Sequence, residues 1–114
     1  MQQDLKIRTR DADLDSREEG RVRKEARRLE RVYDRIVDCE IHIQGPGSHH
    51  RQGGPHRVGV RIGVPGPDIV VSGKEAPSLE GAIRRAFDAA QRQLEDWVRI
   101  RRGRVKNHES STPG

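Results

Sequence analysis

The chain has 114 residues, 31% of them hydrophobic and only 3% aromatic, with one cysteine. That is apolar material for one small aliphatic core, and it excludes a second domain, an internal disulfide and a long membrane-spanning run. Charged residues make up 36%, the formal net charge is +5 and the isoelectric point lies near 10.1, which favours a polyanionic partner, either nucleic acid or an acidic membrane surface. The N-terminus lacks the apolar segment of a secretory signal, so cytoplasmic residence is the expectation.

Asp4 to Arg10 alternates, with Leu5, Ile7 and Thr9 on one side and Lys6, Arg8 and Arg10 on the other, as a half-buried strand with a basic outer face would. The polar link Asp11 to Asp15 leads to Ser16 to Ile36. Ser16 and Glu19 have the spacing of a capping box, and Val22, Ala26, Leu29, Tyr33 and Ile36 recur at the helical period. The spacing therefore predicts a helix over 16–36 with one apolar stripe. Its other faces carry Arg21, Arg23, Lys24, Arg27, Arg28, Arg31 and Arg35, interleaved with Glu25, Glu30 and Asp34.

Val37, Cys39, Ile41 and Ile43 alternate with polar residues as a second strand, and Cys39 on its apolar side reads as core filler. Gly45 to Pro55 is rich in turn formers and reads as a mobile loop whose length marks it as a candidate for function. A third strand is expected over Arg57 to Val64, with Val58, Val60, Ile62 and Val64 inward. The turn Pro65-Gly66-Pro67-Asp68 should return the chain antiparallel as a fourth, Ile69 to Ser72. Pro77-Ser78-Leu79-Glu80 signals a second N-cap. From it a stripe of Leu79, Ala82, Ile83, Ala86, Phe87, Ala90, Leu94 and Trp97 predicts a helix to about Arg102, ahead of Gly103.

Each strand has one apolar face, so both helices must cover the same side of the sheet. The expected fold is α+β: a two-layer β-α-β-β-β-α sandwich with a four-stranded mixed sheet, its first two strands parallel through the helical crossover. Residues 1–107 form that domain, and 108–114, with nothing to bury, are expected to be a disordered tail.

The end of the second helix is one-signed. Arg99, Arg101, Arg102, Arg104 and Lys106 follow Arg84, Arg85 and Arg92, and no acid lies between Asp96 and Glu109. Arginine forks match phosphate oxygens, so together with Lys24, Arg27, Arg28, Arg31 and Arg35 these residues are candidate RNA-backbone contacts. No strand carries an outward aromatic, which argues against base stacking on the sheet. His49, His50 and His56 lack the partners and spacing of a metal site and read as loop polar groups or RNA contacts. Gly66 and Gly73-Lys74 do not have phosphate-loop spacing, and the carboxylates of Glu18-Glu19 and Glu95-Asp96 diverge by about 100° on their helices. No nucleophile, base and orienter set is visible, so neither catalysis nor a cofactor, metal or small-molecule substrate is expected.

Taken in order, several stretches resemble the ribosome hibernation-promoting factors and ribosome-associated translation inhibitors, also labelled sigma-54 modulation proteins. They are Lys24 to Ile36; His49-His50; Val64 to Val71; Ala82-Ile83; Phe87 to Ala90; Arg92 to Asp96; and Val105 to Glu109. The resemblance spans about Leu5 to Glu109. It implies the same order of elements and a factor that binds the small ribosomal subunit where messenger and transfer RNA would lie, is monomeric off the ribosome and silences idle ribosomes. His49 and His50 join the candidate RNA contacts on this basis. The chain departs from the pattern at Ala89, Glu95, Asp96 and Val98, where many short family members carry lysine or arginine, and its positive charge is shifted toward Arg99 to Lys106. The short ending is expected of a short-form factor or an excised domain. A different class of reading, implied by the sigma-factor label, is a protein-interaction regulator whose basic helices meet an acidic protein.

Overall fold

The computed structural model describes residues 5–46 and 55–111, with side chains as far as residue 103 at the C-terminal end. The order is β1 (Leu5–Arg10), α1 (Ser16–Val32), β2 (Asp38–Gln44), β3 (His56–Gly63), β4 (Ile69–Ala76) and α2 (Leu79–Ser111). The strands lie in the order β1-β2-β3-β4, with β1 and β2 parallel and the remaining pairs antiparallel. This is the expected α+β sandwich. The core is aliphatic: Ile41, Ile43, Val58, Val60, Ile62 and Val71 project from the sheet against Val22, Ala26 and Leu29 of α1. From α2, Ala82, Ile83, Ala86, Phe87, Ala90 and Leu94 complete it.

Local chemistry sets the boundaries, and several differ from expectation. The cap of α1 is Asp15, one residue before the expected Ser16. Asp15 Oδ1 accepts the Glu18 N–H at 2.7 Å, and Glu18 Oε1 accepts the Asp15 N–H at 3.0 Å. Two overlapping boxes, Asp15 with Glu18 and Ser16 with Glu19, compete in this sequence, and the carboxylate wins. At the other end α1 stops at Val32, four residues short of the expected Ile36. Tyr33 turns extended and returns its N–H to Leu29 at 3.1 Å. Ile36 still reaches the core at 1% exposure, but from the link. Arg35 consequently sits beyond the helix. Val37, expected inward, precedes β2 and is 55% exposed, because Ile36 has taken the core position beside it.

The turn between β3 and β4 uses Gly66 at φ +100°, a backbone open to glycine at little cost. β4 continues past the expected Ser72 to Ala76, carried by pairing of Arg57 with Glu75 and His56 with Ala76, and its register shifts between Val58 and Val60. Ser78 caps α2 as expected, accepting the Gly81 N–H at 3.0 Å. The helix then runs through Gly103 to Ser111, past its expected end and into residues expected to belong to the tail. Gly103 costs an exposed helix only about 1 kcal/mol relative to alanine, which is too little to end a helix already propagated over several turns.

At 1.5 Å per residue, the 33 residues of α2 span about 50 Å, whereas an eight-residue strand spans roughly 27 Å. Leu94 is its last fully buried residue and Trp97 packs at the margin of the core. From Val98 onward the helix projects past the sheet.

Candidate nucleic-acid interface

The two helices lie side by side and run parallel, because contacts between them advance in step. Near their starts Arg21 Nη1 pairs with Glu80 at 3.1 Å; about two turns on in α1 and three in α2, Arg28 Nη2 donates to Gln91 Oε1 at 3.1 Å. Arg28 Nη1 also holds Glu25 at 2.7 Å, and Gln91 Nε2 passes the bridge on to Glu95 at 3.2 Å. Glu25 is 8% exposed, and Arg28 is what keeps its charge paired there.

This arrangement divides the cations. Over the N-terminal halves, a cleft of about 600 Å³ is lined by Arg17, Arg21 and Lys24 but also by Glu18, Glu25 and Glu80. Glu80 additionally holds Arg84, at 3.9 Å. Arg85 reaches back to donate to the Glu75 carbonyl of β4 at 2.6 Å, which puts it on the flank beside the sheet edge, and Arg92, two turns later, follows on that flank. Charge here is mixed and largely neutralised.

Toward the C-terminal ends the balance changes. Arg27, Arg31 and Arg35 are exposed and make no ion pair among the described residues, and the same holds for Arg102; nearer the middle of the helices, Lys24 at the edge of the mixed cleft and Arg92 are also exposed and without an ion pair there. A groove of about 480 Å³ between Val32 and Val98 carries Arg99 and Arg102 on its rim, with Glu95. Arg99 is paired with Asp96, an exposed contact that holds it weakly. Arg101 lies 5.2 Å from the Trp97 ring centroid, and Trp97 meets Tyr33 edge-on at 4.9 Å. This stack ties the base of the projecting helix to the end of α1 and fixes a guanidinium at the surface.

The sequence-predicted contacts are therefore not equivalent. Lys24, Arg27, Arg31, Arg101 and Arg102 are presented outward, whereas Arg28 and Arg85 tie one element to another and Arg84 makes only an exposed pair within its own helix. The side chains of Arg104 and Lys106, and all of His49 and His50, lie outside the described residues. Sequence reasoning missed the division because Gln91 lies 63 residues from Arg28, and the Glu75 carbonyl belongs to a strand end that the sequence pattern did not extend that far.

The open face of the sheet has its own charge network. Arg8 Nε donates to Glu40 at 2.8 Å, His42 Nε2 lies 2.7 Å from the same carboxylate, and Arg61 spans Asp38 at 2.9 Å and Asp68 at 3.0 Å. The hydrogen bond from Arg8, reinforced by His42, holds the Glu40 carboxyl down to about 2. Beneath this face, burial pushes the Cys39 thiol up to about 12, with the Asp38 charge adding to it, so it is a core group. No group of three or more histidines, cysteines or carboxylates suited to a metal occurs among the described residues. No described helix is long and apolar enough to cross a membrane.

The fold is a two-helix layer on a small mixed sheet, with exposed arginines at the end where α2 leaves the core. The chain belongs to the family described as sigma 54 modulation protein / S30EA ribosomal protein, whose model matches residues 5–102. Among solved structures it is similar to the N-terminal domain of Protein Y from Thermus thermophilus, with a TM-score of 0.68 and 22% identity over 81% of this chain and 94% of that one. It is also similar to a ribosomal subunit interface protein from Coxiella burnetii, with a TM-score of 0.68 and 14% identity over 82% of this chain and 94% of that one. At these identities the likeness is one of fold. No curated protein sequence matches significantly. The family is one of ribosome-associated proteins.

Proposed function

We propose that this chain is a hibernation-type translation inhibitor that binds the small ribosomal subunit through its helical layer, in the channel used by messenger and transfer RNA. The observation that carries the reading is the pair Arg27 and Arg31 on α1, exposed and without an ion pair among the described residues, continued by Arg101 and Arg102 where α2 leaves the core. Guanidinium groups without internal acids keep their hydrogen-bonding forks for phosphate oxygens, and their neutralisation releases counterions. Folded ribosomal RNA offers such oxygens from several strands at once, and a rigid helical pair presents cations to them at little entropic cost. The activity is steric, requires no reaction at the site, and belongs in the cytoplasm with the ribosome.

Cosedimentation with purified small subunits at moderate salt tests the proposal. The protein should travel with the subunits and be released when the RNA is digested. If it stays at the top of the gradient, the reading fails. Capture that survives nuclease would instead point to an acidic protein partner at the same cations.

A further inference from the structure

On the open face, away from both helices, the pairing register sorts side chains into rows. Lys6, Glu40, Arg61 and Val70 form one row; Arg8, His42 and Gly59 the next; Arg10, Gln44, Arg57 and Glu75 the last. Asp38, Glu40 and Asp68 are all engaged by Arg8 or Arg61. The last row is different. Arg10 and Arg57 are exposed and make no ion pair among the described residues, although Glu75 stands in register beside Arg57.

Between these rows lies a trough of about 330 Å³ whose walls are Arg8, Arg10, His42, Gln44 and Arg57. Its floor is Gly59 and Gly73, adjacent across the register shift of β3 and β4. A Cβ on Gly73 would overlap the Arg57 stem at Cγ, Cδ and Nε, so the missing side chain is what lets Arg57 lie across the sheet. Strands sit about 4.8 Å apart, so Arg10 and Arg57, two strands apart, start about 10 Å from each other; the Arg57 stem rests over Gly73 on the β4 side, and its guanidinium swings back over Gly59 toward Gln44 to share one tetrahedral anion with Arg10. Gln44 between them offers an amide donor rather than a competing acid.

We infer that this trough is a second anion site, in which Arg10 and Arg57 take a phosphodiester of RNA over the glycine floor. It goes beyond the helical-layer reading, and rests on it only for RNA as the source of the phosphate. The protein would then grip RNA on both faces.

The test is nuclear magnetic resonance on the full chain, following the Gly59 and Gly73 amides and the Arg10 and Arg57 Nε signals. Inorganic phosphate and a short oligouridylate are added separately. Both should shift these signals; Arg10→Gln with Arg57→Gln should abolish the response, and Arg27→Glu with Arg31→Glu should leave it intact. No shift with either probe overturns the site, and a shift with inorganic phosphate alone overturns the RNA assignment. On small subunits, the Arg10→Gln, Arg57→Gln protein should bind at least about tenfold more weakly, since each of the two lost charge-assisted contacts is worth roughly that factor. Full affinity there, beside loss in the Arg27→Glu, Arg31→Glu protein, removes this site as an RNA contact and leaves the helical reading standing.

Discussion

Arg28 on α1 and Gln91 on α2 are joined by a 3.1 Å hydrogen bond, and the same guanidinium neutralises Glu25 at 2.7 Å. Arg28 is thus a strut between helices, although in sequence it looks like its neighbour Arg31. The two should separate under mutation. Arg28→Glu sets a second carboxylate against poorly exposed Glu25 and should cost about 1–3 kcal/mol, whereas Arg31→Glu should stay within about 0.5 kcal/mol. Urea denaturation of the two variants checks this, and equal stabilities would remove the strut.

Leu29 is 1% exposed and sits between α1 and the sheet. Leu29→Ala should cost about 2–5 kcal/mol through lost burial and a residual cavity. A denaturation midpoint unchanged from the parent would contradict the packing of α1.

The Glu40 carboxyl, held at about 2 by Arg8 and His42, lies below its ordinary 4.5. The unfolded chain therefore binds more protons between those values, so this contribution is present above about pH 4.5 and fades as pH falls toward 2. Glu40→Gln should flatten the acid limb of the stability profile in that window. An unchanged limb would mean that the Arg8–Glu40–His42 contact contributes nothing in solution.

Most of the fold was legible because its signals are local. Alternation marked the strands, the apolar stripe marked α2, and Pro65-Gly66 and Ser78 marked the turn and the cap. The misses lie where longer-range terms decide. Tyr33 fits the helical stripe, yet it leaves the helix and its ring meets Trp97, 64 residues away. Gly73-Lys74-Glu75 has no strand pattern of its own and is held in β4 by its pairing with β3. The candidate cations were readable as a set, but their division into engaged and available members was not. Arg84 and Arg85 are adjacent in sequence, yet one faces Glu80 and the other the Glu75 carbonyl.

Cys39 is 1% exposed, and its thiol is raised to about 12. It should resist alkylation at pH 8 in the native protein and react promptly in denaturant, since both access and thiolate are withheld by the fold. Rapid native labelling would show that β2 opens readily.

The salt dependence of binding to small ribosomal subunits decides whether the helical layer neutralises RNA phosphates. If Arg31 and Arg102 each neutralise an RNA phosphate, Arg31→Gln with Arg102→Gln should weaken binding. It should also flatten the plot of log affinity against log salt by about one to two units, at roughly 0.7–0.9 unit per contact. The parent should show the steeper slope over the same range. A double variant that binds with the parent's slope, whatever its affinity, would contradict phosphate neutralisation by the helical layer.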